Sequence, residues 1–386
     1  MKYYIIAGEA SGDLHGSNLM KSIKKLDHST QFRVWGGDLM EKESDGNLVK
    51  HYRNLDFVGF TEVVANLRTI LGNIKNCKKD IKAYQPDVLV LIDYPGFNLR
   101  IAKWAKKQGL RVVYYISPQV WAWNSARVHK MKKIIDKMLV ILPFEQEFYA
   151  KYDYEVDFVG HPLLDAIDTY PDSTSFFQEN QIEVERQIIA LLPGSRGQEI
   201  RNIFSTMLPI IPLFPNYQFV LAAAPSIPKE VYQKYIADFN KTQSQKNQPL
   251  IDLKIVYNQT YQVLKNAHAA VVASGTATLE TGLFQVPQVV CYKGSWVSYQ
   301  IAIRIVNITY ISLVNLIMKK EVVKELIQND FTTNNLSREL KAILETSKRQ
   351  EIASEYKKLR QQLGGGGASD RAAKAIFEQG LLRQKE

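Results

Sequence analysis

Ile188-Ile189-Ala190-Leu191-Leu192-Pro193-Gly194-Ser195-Arg196-Gly197-Gln198-Glu199-Ile200-Arg201 decides the fold. Its first five residues form an unbroken apolar run, as in a parallel strand buried on both faces. The run breaks at Pro193-Gly194-Ser195, and residues 202–208 read as the start of a helix. A strand feeding a helix through a small polar turn leaves backbone N–H groups free at the helix start, where the macrodipole favours an anion. Arg196 places a planar fork of donors in that turn, suited to a phosphate. An ordinary strand-to-helix turn with a surface arginine is the competing reading.

Moving outward, the same pattern recurs in both directions. Residues 218–223, 254–256, 269–273 and 286–291 read as further strands of this half. Val272-Ala273-Ser274-Gly275-Thr276-Ala277-Thr278-Leu279-Glu280 is again strand, small polar turn and helix start. Ser274, Gly275 and Thr276 suit a phosphate, and Glu280 suits both hydroxyls of a ribose. Compensation of the helix dipole would equally explain a carboxylate there. Two phosphate-suited turns in one domain suggest a nucleoside diphosphate.

The first half opens with a strand at 3–7 and the loop Gly8-Glu9-Ala10-Ser11-Gly12-Asp13-Leu14-His15-Gly16, which starts a helix to about residue 26. The loop lacks the G-x-G-x-x-G spacing, which disfavours a nicotinamide role. It follows a first strand and so faces the ligand crevice of an open sheet, making Glu9, Asp13 and His15 candidates; capping or solvation would also account for His15. Strands are expected at 32–37, 86–92, 112–116 and 137–143. Asp93 ends the second of these, where such sheets place catalytic groups; a cap for a helix at 99–108 is the alternative. Trp121 and Trp123 follow Ser117-Pro118-Gln119 and either pack or wall a pocket. In Leu67, Ile70, Leu71 and Ile74, joined by Val63, one helical stripe stands beside Lys75, Lys78, Lys79 and Lys82. It suits a core or, if partly exposed, a membrane interface.

The polar stretch 168–185 marks a domain crossing. The expected fold is α/β, two Rossmann-like domains facing a cleft, at 1–170 and 171–345. Charged helices from about 345–386 are expected to join the first domain. They are interrupted by Gly364-Gly365-Gly366-Gly367, which reads as a flexible joint or helix break. Whether they stay with their own chain or exchange within a homodimer is open.

A chain of 386 residues is long enough for about two domains. With 46% hydrophobic and 23% charged residues, it has the composition of a soluble globular protein that needs no disulfide or metal to fold. Cys77 and Cys291 suggest no disulfide frame, and no Cys/His metal spacing appears, so a reducing, cytoplasmic setting is expected. The formal net charge of +10 suits an anionic membrane surface or a phosphorylated substrate, and a solvated surface alone would equally explain it. No nucleic-acid motif accompanies it, and nucleic acid is not expected as a partner. The N-terminal apolar run is too short for a signal peptide. Residues 297–318 contain Gln300, Arg304, Asn307 and Asn315 and make a poor membrane span.

The motifs carry a resemblance in their order and spacing. They are AGEASG (7–12), SPQVWAW (117–123), LPFE (142–145), VGH (159–161), LPGSR (192–196), SGTATLE (274–280), and YISLVNL (310–316) with Glu325-Leu326. Over nearly its whole length the chain resembles the lipid-A-disaccharide synthases, inverting glycosyltransferases of the glycosyltransferase-B architecture (glycosyltransferase family 19). The resemblance implies condensation of UDP-2,3-diacylglucosamine with 2,3-diacylglucosamine 1-phosphate (lipid X), giving a β-1,6-linked disaccharide and UDP for lipid A and lipopolysaccharide. It implies a UDP site at Gly194, Ser195, Arg196, Ser274, Gly275, Thr276 and Glu280, with Asn315 close by. Glu9, Ser11, Gly12 and Asp13 would serve the acceptor. The stripe at Leu67, Ile70, Leu71 and Ile74 would serve the inner membrane, peripherally.

One position departs from the family. Members commonly carry an acid where this chain has Gly96, and that acid has been favoured as the base. Either Asp93 or a group of the N-terminal loop takes the role, or that base assignment does not hold for this chain; a changed acceptor is a further alternative. With no Asp-x-Asp pair to carry a divalent ion, Arg196 and two helix starts would neutralise the diphosphate. Neither a metal nor a cofactor is therefore expected. Asp93 and Arg196 are the candidate catalytic residues. A UDP-sugar 2-epimerase of the same fold and a non-catalytic UDP-sugar-binding protein are the alternatives.

Overall fold

The computed structural model describes residues 1–55, 67–294 and 309–384. The chain forms two compact units, Met1–Asp168 with Leu363–Glu386 (unit 1) and Thr169–Gln362 (unit 2).

Unit 1 holds a seven-stranded parallel sheet of β1 (Lys2–Ala7), β2 (Gln31–Gly36), β3 (Leu48–His51), β4 (Val88–Ile92), β5 (Arg111–Tyr115), β6 (Lys137–Val140) and β7 (Asp157–Phe158), ordered β3-β2-β1-β4-β5-β6-β7. Alternate residues of β1 and β4 serve two apolar layers, as the two-residue period of a strand requires. Tyr3, Ile5, Val88 and Val90 pack with Ala372, Ala373 and Ile376 of the last helix, Ala368–Gln384. Tyr4, Ile6, Leu89 and Leu91 pack with Cys77 and Ile81 of the helix Leu67–Tyr84 and with Ile101 and Ala102 of the helix Pro95–Lys107.

Unit 2 repeats the plan with six parallel strands, β8 (Ile188–Leu192), β9 (Gln218–Ala223), β10 (Leu253–Tyr257), β11 (Ala267–Ala273), β12 (Gln288–Tyr292) and β13 (Lys324–Ile327), ordered β10-β9-β8-β11-β12-β13. Ile188, Ala190, Leu192, Val220, Val256, Ala270 and Val272 form one face of its core. Both units are therefore doubly wound. The strand order reverses between β1 and β4 in unit 1 and between β8 and β11 in unit 2. Open α/β sheets bind ligands beyond the strand ends at such reversals.

Five elements differ from the sequence expectation. The edge strands β3 and β13 and the two-residue β7 went unread; all three are short and mostly half-buried, so they lack the long apolar run of a central strand. The helix expected from 202 is wound from Gly197 onward, as an α turn (Gly197–Glu199), a π turn (Ile200–Phe204), a second α turn (Ser205–Met207) and a 3-10 turn (Leu208–Leu213). Pro209 and Pro212 remove N–H donors from its last turns. In the C-terminal stretch, the helix Thr346–Gln362 packs in unit 2, where buried Tyr356 accepts a hydrogen bond from Gln288 at 3.1 Å. Only Ala368–Gln384 belongs to unit 1.

The glycine run between these helices is a pinned break. Arg371 donates to the carbonyls of Val159 (2.8 Å), Gly366 (2.9 Å) and Gly364 (3.4 Å). Asp165 accepts from the backbone N–H of Gly367 (2.6 Å), Ser369 (2.8 Å) and Ala368 (3.3 Å), capping the last helix.

Candidate active site

In unit 2 the two turns singled out by sequence are the two that flank the reversal of strand order. Gly194 follows β8 at φ +104°, and a Cβ there would collide with the Glu199 carboxylate, so only glycine fits. Glu199 Oε2 accepts from the backbone N–H of Ser195 (2.9 Å) and of Arg196 (3.2 Å). Its Oε1 lies 3.5 Å from the exposed Arg196 guanidinium. The donors expected to meet a phosphate thus already face an internal carboxylate. Glu199 was not anticipated; its place three residues after the cap position is the capping-box signal that would have found it.

After β11, Ser274 donates its hydroxyl to the Ile311 carbonyl at 3.0 Å, and Gly275 (φ +154°) caps the helix Thr276–Leu283. Thr276 is exposed. Glu280 is half-buried one turn into that helix and accepts from the Tyr261 hydroxyl at 3.1 Å. Burial pushes its carboxyl above the ordinary range.

Asn315, expected close to the UDP site, stands behind Ser274 and is linked to it through Glu325 and Ile311. It is fully buried, and its amide donates to the Val323 carbonyl (2.8 Å) and to Glu325 (2.9 Å) while accepting from the N–H of Val322 (2.7 Å) and Val323 (3.0 Å). With both amide ends occupied, it is a structural brace. Glu325 also accepts from the N–H of Ile311 (3.0 Å) and Ser312 (2.9 Å), which fixes the carbonyl that receives Ser274.

In unit 1 the loops at the reversal carry Glu9 and Asp93. Asp93 and Tyr94 both adopt left-handed backbone, φ +43° and +48°, a conformation that costs a non-glycine residue energy. Their turn is over-determined. Tyr114 donates its hydroxyl to the Asp93 carbonyl at 2.5 Å, and Asn98 donates to that carbonyl (2.8 Å) and to that of Ile92 (3.1 Å). The Tyr94 ring lies against Gly8, where any Cβ would collide, so the β1 and β4 loops interlock. The helix cap position falls on Tyr94, so Asp93 is not the cap. The Asp93 carboxyl is half-buried; burial first, and the charge of Glu9 second, push its pKa up to about 7. Gly96 is exposed with open space around it, so its glycine is not imposed by packing.

The remaining acceptor-side candidates separate. Glu9 and Ser11 are exposed, while Gly12 and Asp13 are buried. Asp13 accepts from the N–H of Gly37 (2.7 Å), Met40 (2.9 Å) and Leu39 (3.1 Å), so it holds the β2 turn. His15 is buried, and burial pushes its pKa down to about 4, leaving it neutral at pH 7. Trp121 packs edge-on against Phe144 at 5.0 Å, whereas Trp123 is 47% exposed under the Arg127 guanidinium.

The apolar stripe also divides. Ile74 is 7% exposed within the unit 1 core, Ile70 is half-buried and Leu71 is 55% exposed. Val63, the Leu67 side chain and residues 297–308 lie outside the described residues. Among the described residues, no helix is long and apolar enough to cross a membrane, and no group of three or more His, Cys, Asp or Glu could hold a metal ion.

Known proteins match nearly the whole chain. A family model described as Lipid-A-disaccharide synthetase matches residues 3–378. The lipid-A-disaccharide synthase of Geobacter metallireducens is 35% identical over 379 residues, covering 97% of this chain and 96% of that protein. That of Syntrophus aciditrophicus is 38% identical over 374 residues, covering 96% and 95%. Among solved structures, a UDP-GlcNAc 2-epimerase from Neisseria meningitidis bound to UDP-GlcNAc superposes with a TM-score of 0.64 at 13% identity, covering 99% of this chain and all of that one. The glycotransferase of kitacinnamycin gives 0.61 at 13% identity, covering 98% of each. At these identities the structural likeness is one of fold, two Rossmann-like domains of the glycosyltransferase-B type.

Proposed function

The chain belongs to the lipid-A-disaccharide synthetase family and is a glycosyltransferase of lipid A biosynthesis; from that premise we propose how its residues divide the reaction. Its substrates are UDP-2,3-diacylglucosamine and lipid X, and its products the β-1,6-linked disaccharide 1-phosphate and UDP. The observation that carries this division is the pairing of the Gly194–Arg196 and Ser274–Glu280 turns about the strand reversal of unit 2.

In unit 2 the N–H groups of Gly194, Ser195, Gly275 and Thr276 and the Arg196 guanidinium receive the diphosphate, displacing Glu199, and the Ser274 hydroxyl joins them by turning away from the Ile311 carbonyl. Glu280 accepts from the ribose hydroxyls. In unit 1 Asp93 removes the proton of the acceptor 6-hydroxyl as that oxygen bonds to the anomeric carbon. The anomeric bond to the diphosphate breaks on the opposite face, and UDP leaves with the electron pair, its charge met by Arg196 and the two turns. Asp93 suits the base role because its raised pKa lies near the working pH. Glu9 tunes it, and Ser11 lies on the exposed rim for the acceptor. Positive charge from the protein replaces a divalent ion, so activity is expected to survive EDTA; strict dependence on added magnesium would refute this.

Leu71 and Ile70, with exposed Lys75, Lys79 and Lys82 on the same helix, support peripheral binding to the cytoplasmic face of the inner membrane. Flotation with anionic liposomes at low salt is expected, and a chain that stays wholly unbound would count against it. For the reaction, the purified chain is incubated with UDP-2,3-diacylglucosamine, with and without lipid X. Disaccharide and UDP are expected only with both. An isomerised UDP-sugar without the acceptor would instead mark an epimerase, and no conversion a binding protein.

A further inference from the structure

Glu280 is half-buried on the helix Thr276–Leu283, yet among the described residues its one hydrogen-bond donor is Tyr261, at 3.1 Å from Oε1. An ionised carboxylate offers about four acceptor sites. A partly desolvated one with a single neutral donor is under-satisfied, and its free energy improves when further hydroxyl donors arrive. Ribose brings two, on adjacent carbons.

The donor itself is held in place. The Tyr261 ring stands between Tyr170 and Phe284, each centroid 5.1 Å away, with interplanar angles of 71° and 60°. Edge-to-face packing on two sides fixes the direction of the hydroxyl, so little ordering remains when a ligand binds. Tyr261 also comes from a separate element, the helix Thr260–Asn266 that follows the edge strand β10. Glu280 is thus constrained from outside its own helix. Burial and the neighbouring Glu280 push the Tyr261 hydroxyl well above its ordinary pKa, which keeps it a donor.

We propose that Tyr261 is a positioning residue that aims the Glu280 carboxylate at the vicinal diol of the nucleotide's ribose. The proposal rests on the reading of Glu280 as the ribose acceptor, and adds to it a specificity-determining partner from a different helix.

Calorimetric binding of UDP and of 2′,3′-dideoxy-UDP to the full chain tests it, in the wild type, Tyr261→Phe, Glu280→Gln and the double variant. Tyr261→Phe is expected to weaken UDP about three- to tenfold, the scale of one ordinary hydrogen bond. It should leave dideoxy-UDP nearly unchanged, and should add no further loss to Glu280→Gln. An equal loss for both nucleotides, no loss for either, or an additive double variant would overturn the role of Tyr261 while leaving Glu280 in place. A Glu280→Gln chain with an unaltered preference for UDP over dideoxy-UDP would remove the ribose reading itself, and the positioning role with it.

Discussion

The turns at the strand reversal of unit 2 are made with glycine, Gly194 after β8 and Gly275 after β11. In unit 1 the β1 turn keeps Gly8, but the β4 turn is made with Asp93 and Tyr94, and one strand beyond the reversal Ile116 (φ +65°) follows β5. Left-handed backbone is nearly free for glycine, but costs of order 1–3 kcal/mol at other residues and most at a β-branched one. Unit 2 therefore presents relaxed turns rich in N–H donors, with a guanidinium beside them. Unit 1 presents a strained turn clamped through its carbonyls by Asn98 and Tyr114, and what the clamp fixes is an acid. One topology, used twice, has been given opposite chemistry. A fixed acid suits proton removal, where geometry must be held closely; an open, positively charged turn suits an anion that arrives and leaves.

Replacing Asp93 tests that contrast most severely. Asp93→Asn is expected to lower kcat by about 10²–10⁴, the range for loss of a general base, with the Kd for UDP unchanged. Turnover within twofold of wild type would mean that the strained turn serves another purpose. Arg196→Ala strikes the other side: kcat/KM should fall by about 2–4 kcal/mol of transition-state stabilisation. A near-normal rate would leave unit 2 without its cation. Asn315→Ala separates scaffold from site, because its four hydrogen bonds are internal. It should cost about 2–3 kcal/mol of stability through groups left buried and unpaired, read as a lower Tm that saturating UDP partly restores. Loss of UDP binding with an unchanged Tm would return Asn315 to the ligand.

The smallest effect is a change in pH profile. With the Asp93 pKa raised to about 7, kcat should rise as pH increases through that value, since the base works in its ionised form. The charge of Glu9 is part of what raises it, so Glu9→Gln should move this limb to lower pH. A limb that stays in place would show that Glu9 does not sense Asp93. Movement to higher pH would contradict the sign of the interaction.

Central strands were the most legible part of the chain. Residues 188–192 and 218–223 were read to the residue, because strands buried on both faces are written as continuous apolar runs. Edge strands such as β3, half-buried throughout, carry no such run. The turns after β8 and β11 could be read as turns because Pro193, Gly194 and Gly275 break the apolar runs before them. The roles of single polar residues could not. Asn315 and Asp13 sit in motifs that suggest a ligand, but their side chains turn inward to backbone groups, and an amide or carboxylate is spelled the same either way. Glu199 was within reach through its capping position. Tyr261 was not, since its contact with Glu280 spans 19 residues and two separate helices and exists only in the folded unit.

The last helix has a consequence for the order in which the molecule is made. Unit 1 is interrupted in sequence: Met1–Asp168 must wait for Leu363–Glu386, while all of unit 2 is synthesised in between. At about 5–20 residues per second, the roughly 200 intervening residues take about 10–40 seconds. During that time the sheet face of Tyr3, Ile5 and Val90 lacks Ala372, Ala373 and Ile376. Unit 2 is contiguous and needs no segment from outside its own bounds. The first half to be made therefore keeps this apolar face uncovered until Ala368–Gln384 is synthesised.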